Sequence, residues 1–339
     1  MFIANDHILE RAARWQDEGH RLALAVVIRT WGSSPRPLGS LMVIRGDGQI
    51  EGSVSGGCVE GAVIDSGMRR IEDGSTERLD FGVANETAWQ VGLSCGGEIS
   101  IFVCPDSAMA AGMLANAADA IASRNPVRIN CTLGAEQLEA TETTGGMMIA
   151  GPDIAGVRPN RLDDAGQVFR LEVLAQPRLY IIGAVHISQH LAPMAMAAGF
   201  EVTVIDPRTT FANSERFPGV TLISDWPDDA LDGMVLDGET ALVTLTHDPK
   251  IDDAALELAL PRPLFHLASL GSKRTHAARC ERLKQKGFSD DDCARIHGPA
   301  GLDIGAKTPA EIAVSVLGEV IAAYRGCLLY TSDAADEEA

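Results

Sequence analysis

Two glycine-flanked cysteines are the residues of this chain best placed to do chemistry. Cys58 sits in SVSGGCVEG, residues 53–61, and Cys95 in VGLSCGG, residues 91–97. Helical periodicity begins at Val59 and continues through Ala62, Val63, Met68 and Ile71, which puts Cys58 near the first turn of a helix. Free backbone N–H groups and the helix dipole favour negative charge there, and so favour the thiolate. Glu60 works against this, and a small buried hydrophobe is the competing reading of Cys58. If the two loops face one another, Ser55, Gly56, Gly57, Cys58, Cys95, Gly96 and Gly97 make a pocket of backbone donors with two soft sulfur ligands. Such a pocket suits a sulfur-bound metal centre better than calcium or magnesium. Arg36 stands between Pro35 and Pro37 in TWGSSPRPLGS, residues 30–40, on a stiff extended backbone where an exposed guanidinium can address phosphate bidentately.

A second centre lies in RLYIIGAVHISQHLAPMAMAAGFEVTVIDPR, residues 178–208. It reads as strand, tight turn, helix and strand, the first βαβ unit of a doubly wound sheet. Gly183 makes the turn, His186 opens the helix, and Asp206 stands where a ribose-binding carboxylate belongs. The pyrophosphate fingerprint is broken, because Val185 and Ser188 replace the second and third glycines. A valine side chain obstructs the approach of a pyrophosphate to the backbone, so NAD or NADP is disfavoured. Strands at residues 220–224, 241–246 and 263–267 alternate with helices, one of them at 252–260, and Gly271 opens a further helix start. Gly183, Asp206, His247 and Gly271 therefore gather at the carboxyl edge of a parallel sheet, where ligands bind. His247 and Asp248 read as metal or acid–base residues, or as a capped strand end. Lys273 and Arg274 could meet a phosphate or lie on an exposed helix face.

The elements ahead of this unit are mixed. Residues 6–18 read as a helix, 21–29 as a strand, 40–45 and 49–54 as a hairpin, 76–81 and 98–104 as strands, and 107–123 as a helix. Residues 126–174 combine short strands with turns. The chain thus divides into an α+β domain over 1–176, including a crossover over 107–176, and a Rossmann-like domain over 177–325. In the latter, Thr308, Pro309 and Glu311 form an N-cap, first-turn proline and capping box before a helix at 311–323. Residues 326–339 break the pattern and read as a non-native or disordered tail.

The 339 residues carry 28 lysines and arginines against 47 acids, a net charge of −19, which argues against nonspecific nucleic-acid binding. No apolar run is long enough to span a bilayer. Seven cysteines without a C-x-x-C pair exclude a zinc ribbon and a disulfide scaffold, and point to a reducing cytoplasm.

The motifs GSSPRPLGSLMVI, GSVSGGCVEGAV, GLSCGGEISIFV, LYIIGAVHIS, VIDPRTTFANSERFP, THDPKIDDAAL, LGSKRT and IHGPAGLDIGAKTPAEIAVSVLGEVIA resemble the XdhC/CoxI family, the accessory proteins of xanthine and carbon monoxide dehydrogenases. The resemblance implies a molybdenum-cofactor (molybdopterin) chaperone rather than an enzyme. Such a protein protects the cofactor during sulfuration and delivers it to a molybdenum hydroxylase. A cysteine desulfurase as a further partner, and a homodimer, belong to the same expectation. It also implies cofactor contacts at Arg36, Ser55, Gly56, Gly57, Cys58, Cys95, Gly96, Gly97, Gly183, His186, Asp206 and Gly271, with Cys58 and Cys95 towards molybdenum. The family's turn usually reads GAGH, and Val185 departs from it. An NAD(P)-dependent oxidoreductase using the second domain is the alternative.

Overall fold

The computed structural model describes residues 5–32, 36–82, 97–133, 146–150, 160–163 and 165–327. Cys95 and Gly96 lie outside these residues. Two compact units divide between Ala175 and Gln176.

In the first unit, β1 (Leu22–Trp31) pairs antiparallel with β2 (Leu41–Arg45) and with β5 (Glu98–Pro105). With β3 (Ile50–Gly52) and β4 (Glu77–Phe81) they form a five-stranded sheet of order β3-β2-β1-β5-β4. Successive side chains of a strand point to opposite faces. Leu24, Val26 and Ile28 therefore join one core with Ile8, Leu9 and Ala12 of α1 (Asn5–Asp17), while Ala23, Ala25 and Val27 join another with Val63 and Ile71 of α2 (Glu60–Asp73). Burial on both faces explains why β1 is apolar along most of its length rather than alternating.

The helix expected over 107–123 is shorter. A single 3-10 turn at Asp106–Ala108 is followed by α3 at Met113–Ala122. Between them the Ala110 amide donates to the Met147 carbonyl, which takes that stretch out of any helical ladder. The region read as a crossover is a sheet of its own, ordered β7-β6-β9-β8, from β6 (Val127–Thr132), β7 (Gly146–Ala150), β8 (Arg161–Leu162) and β9 (Val168–Val173).

The second unit is a six-stranded parallel sheet of order β12-β11-β10-β13-β14-β15. Its strands are β10 (Arg178–Ile182), β11 (Glu201–Ile205), β12 (Thr221–Ile223), β13 (Thr240–Thr244), β14 (His266–Ser269) and β15 (Ile296–His297). Counted from β10 this is 3-2-1-4-5-6, the doubly wound order, with the switch point between β10 and β13. Leu179 and Ile181 face α4 (His186–Ala197) and α9 (Pro309–Tyr324); Tyr180 and Ile182 face the side covered by α6 (Pro249–Ala259) and α7 (Lys273–Gln285). Short helices α5 (Pro227–Asp232) and α8 (Asp290–Ala294) complete the set among the described residues. The capping box of Thr308 and Glu311 forms as expected. Helix α6 starts three residues earlier than expected, because Asp248 accepts from the Lys250 amide and Pro249 fills the first helical position. No helix among the described residues is long and apolar enough to cross a membrane.

An acid–base cluster fastens α9 to the sheet. Buried Glu319 lies 3.3 Å from His266 Nε2 and 3.5 Å from His297 Nδ1, and accepts from the Gly301 amide. Burial pushes the Glu319 carboxyl up, but the two histidines and the amide outweigh it and hold it at about 2. The Glu319 hydrogen bond raises His297 above its ordinary value, against the opposing effect of burial. A raised histidine contributes stability that is present below its unfolded value and lost as pH rises through its folded value. The depressed Glu319 contributes above its unfolded value and loses this as pH falls towards 2. His297 should therefore give the second unit a higher melting temperature at pH 6 than at pH 8. His297→Asn should flatten that part of the profile; an unchanged profile in the variant would assign the pH dependence to other groups.

Candidate functional site

The loop between β3 and α2 is organised around one carboxylate. Glu60 Oε1 accepts from the Ser53 hydroxyl at 2.7 Å, the Ser55 amide at 2.9 Å and the Gly56 amide at 2.9 Å. Glu60 Oε2 accepts from the Gly57 amide at 2.8 Å and from the Ser55 hydroxyl. Two glycines make this wrap possible: Gly56 at φ 81° and Gly57 at φ 122° hold backbone conformations that side chains resist. Burial pushes the Glu60 carboxyl up, and the Ser55 and Ser53 hydroxyls with the backbone amides more than reverse it, to about 2.

This alters the reading of Ser55, Gly56 and Gly57. Their amides form an anion nest, as expected, but the chain's own Glu60 carboxylate fills it. They are not free donors for a ligand phosphate. Cys58 also moves relative to expectation: the helix begins at Glu60 with Val59 at the N-cap, so Cys58 precedes the cap instead of lying in the first turn. Its half-buried side chain packs partly against the Val54, Val59 and Val63 core. Beside it, a Cβ built on Gly57 would meet nothing within 4 Å, so that side of the loop is open to close approach. Arg36 is not an exposed guanidinium either. It is half-buried, and its Nε donates to the Ser53 carbonyl at 3.0 Å, fastening the proline loop to the glycine loop. The structure thus brings Arg36, Ser55, Gly56, Gly57 and Cys58 into one constellation. Gly97 is buried just ahead of β5. Among the described residues no group of three or more His, Cys, Asp or Glu side chains is arranged to hold a metal ion.

At the carboxyl edge of the second sheet, Gly183 has φ 109°, and an added Cβ would sit 2.5 Å from Thr246 Cγ2, so only glycine lets the chain after β10 approach the chain after β13 there. The Ala184 amide donates to Asp206 at 2.7 Å. Asp206 is fully buried, and Arg208 grips it with both Nε and Nη2 at 2.8 and 2.7 Å, while the Arg208 amide adds a further bond at 2.9 Å. Burial raises the Asp206 carboxyl, but Arg208 and the amides outweigh that and lower it. The expected ribose acceptor is therefore spent: the Arg208 guanidinium presents two donors to the carboxylate, as a ribose diol would. Arg208 in turn lies over Phe211, 4.5 Å from the ring centre. His186 is exposed at the start of α4, and Gly271 follows β14, two strands from β10 on the same edge. The His247 region resolves as a capped strand end. Asp252 accepts from the Thr246 hydroxyl at 2.6 Å and the His247 amide at 3.0 Å, leaving the imidazole exposed on a left-handed residue, φ 63°. Lys273 and Arg274 are exposed.

Reading the sequence missed Glu60 and Arg208 as organising residues. Signals were present in an acid at the first helical position after a glycine pair, and in an arginine two residues beyond the strand-end aspartate.

The geometry defines a protein with a glycine-loop α+β unit and a Rossmann-type unit whose strand-end Asp206 is paired with its own Arg208. The family model described as "XdhC Rossmann domain" matches residues 179–320, and that of the "XdhC and CoxI family" matches residues 15–82. The chain belongs to the XdhC/CoxI family. It is 28% identical over 323 residues to the molybdenum cofactor insertion chaperone PaoD of Escherichia coli (strain K12), covering 94% of this chain and 89% of that protein. Identity to a probable xanthine dehydrogenase subunit of Bacillus subtilis (strain 168) is 27% over 319 residues, 90% of this chain and 94% of that one. The uncharacterized protein YqeB of Escherichia coli (strain K12) is 25% identical over 317 residues; these are 93% of this chain, which spans only 46% of that relative's length. A crystal structure of a xanthine dehydrogenase from Bacillus halodurans superposes with a TM-score of 0.72 over 97% of this chain and 98% of the other, at 23% identity, a likeness of fold.

Proposed function

We propose that this protein is a maturation chaperone that takes molybdenum cofactor as cargo and passes it to an apo molybdenum hydroxylase of the xanthine or carbon monoxide dehydrogenase type. The observation that carries the reading is similarity along nearly the whole chain to a molybdenum cofactor insertion chaperone, joined to a loop in which Glu60 holds Ser53–Gly57 so that Cys58 stands beside the open side of Gly57. On this reading Cys58, with Cys95, addresses the metal end of the cargo, and Arg36 holds the loop that presents the thiol. The cofactor supplies the oxidation chemistry of the client; the chaperone's residues bind, orient and shield it, also while it receives sulfur, with a cysteine desulfurase as donor. A reducing cytoplasm keeps both cysteines as thiols. Pairing of two copies is a further part of the proposal.

The test is pterin and molybdenum content after anaerobic purification from a cofactor-competent host. Cys58→Ala should retain less than about a tenth of the wild-type cargo if the lost sulfur contact contributes about 1.4 kcal/mol or more, with an unchanged melting temperature. Equal stoichiometry in the two proteins would make Cys58 a packing residue and remove the site.

The oxidoreductase alternative requires a dinucleotide in the second unit. Val185 at the turn and Arg208 on Asp206 both oppose it. A calorimetric titration with NAD or NADP should show no binding at micromolar concentrations. Micromolar affinity in the unmodified protein would revive the alternative.

A further inference from the structure

Helices α7 and α8 carry a group of reactive side chains that the cofactor reading does not use. His276 and Cys280 are one helical turn apart on α7, with His276 Nε2 3.6 Å from Cys280 Sγ. Cys293, on α8, points its Sγ at the Cys280 carbonyl, 3.8 Å away. The two helices are tied by Lys284 and Asp290, 2.5 Å apart, and α8 is fixed by the Ser289–Asp292 capping box. Both cysteines are free thiols, Cys280 half-buried and Cys293 buried. Burial, and then the neighbouring Cys280 thiol, pushes Cys293 up to about 11. Burial, and then the Arg279 charge, lowers His276, a shift that favours the neutral imidazole with a lone pair to accept a proton.

We propose that Cys280 and Cys293, with His276 as the base, form a thiol pair that a peroxide closes into an intramolecular disulfide between α7 and α8. The accessible sulfur reacts first and the buried one resolves it, the arrangement expected of a selective thiol site.

In the first step Cys280 gives its proton to His276 Nε2, and the thiolate attacks one oxygen of hydrogen peroxide. The O–O bond breaks, the departing hydroxide takes the imidazolium proton and leaves as water, and Cys280 becomes a sulfenic acid. The Cys293 sulfur then attacks the Cys280 sulfur. The S–S bond forms, the S–O bond breaks, and the hydroxyl leaves with the Cys293 proton as a second water. Two thiols and one peroxide give one disulfide and two waters; the sulfur pair loses two electrons and the peroxide gains them.

The experiment uses the full chain, reduced, desalted, treated with a stoichiometric amount of hydrogen peroxide, alkylated, and digested with trypsin without reductant. The expected product is a cross-linked peptide joining residues 280–282 to residues 287–295, restored to two alkylated peptides by dithiothreitol. Cys293→Ala should abolish the cross-link and leave Cys280 as a sulfenic acid trapped by dimedone. His276→Gln should slow cross-linking by roughly tenfold or more while circular dichroism stays native. Full alkylation of both cysteines after peroxide in the wild type would overturn the proposal. So would cross-links only to Cys58 or Cys327. The wild-type measurement decides these outcomes even if a variant fails to fold.

Discussion

Glu60→Ala is expected to lower the stability of the first unit by about 1–3 kcal/mol, because three backbone amides and two hydroxyls lose their acceptor at once. Gly56 and Gly57 are exposed, so water can take over part of this and the lower half of the range applies. In a domain of this size that is a fall of several degrees in melting temperature, at about 2–4 °C per kcal/mol. The functional effect should be larger. Without the carboxylate the loop has no reason to keep Gly57 at φ 122°, and Cys58 is no longer presented beside it. Cargo retention should fall as far as in Cys58→Ala, with the thiol intact. Glu60→Gln should be intermediate, because the amide keeps one acceptor oxygen but turns a donor towards the nest. Since Glu60 is depressed to about 2, the contribution it makes is present above its ordinary value and lost only as pH falls towards 2. Acid titration to pH 4 should leave the loop assembled. A Glu60→Ala protein with wild-type cargo and melting temperature would show the loop to be held by something else.

Asp206→Ala should be the most destabilising single change at the edge of the second sheet, by about 2–4 kcal/mol. The substitution leaves the Ala184 amide unpaired in a buried turn and removes the partner of both Arg208 nitrogens. Arg208→Ala should cost less, because its side chain is 36% exposed and already partly solvated. Urea titration followed by circular dichroism measures both. Hydrogen exchange gives the location: the Ala184 amide should lose protection in Asp206→Ala and keep it in Arg208→Ala. A cost within about 0.5 kcal/mol for Asp206→Ala, the level of an indifferent surface change, would mean the turn holds without its carboxylate. The pair also separates two roles that one residue could play. If Asp206 were kept for a ribose, Arg208→Ala would free it and dinucleotide affinity would appear. Val185 still stands at the turn, so the expected result is no binding in that variant either.

The features legible in the sequence are those set within a few residues. Gly183 followed by a helix and a second apolar run declares a βαβ unit, because strand and helix periods differ and a glycine is needed between them. Thr308, Pro309 and Glu311 declare a helix start, because each meets a need of the first turn. The glycine pair before Cys58 declares a nest of amides. The alternation of elements after residue 206 was enough to place Gly183, Asp206 and Gly271 on one sheet edge.

Folding settled what filled those places. Glu60 was legible only as a charge opposed to a thiolate; its role depends on two left-handed glycines turning three amides onto one carboxylate. Asp206 was legible as a strand-end acid, and its availability depended on whether a neighbouring cation could reach it in a buried turn. Arg36 was legible as a charge on a stiff loop, but its Nε partner, the Ser53 carbonyl, lies 17 residues away. Cys280 and Cys293 carried no motif, since twelve residues and a chain reversal lie between Cys280 and the thiol that helix packing sets against its carbonyl. Residue order alone specified the alternation of strands and helices in the Rossmann unit, the helix start at Thr308 and the family, while the broken helix after Asp106 and the separate sheet over β6–β9 came from pairing with distant chain. Which polar groups are spent on one another emerged only in the folded chain, because a hydrogen bond or ion pair is set by distance and burial, and neither is a property of local sequence.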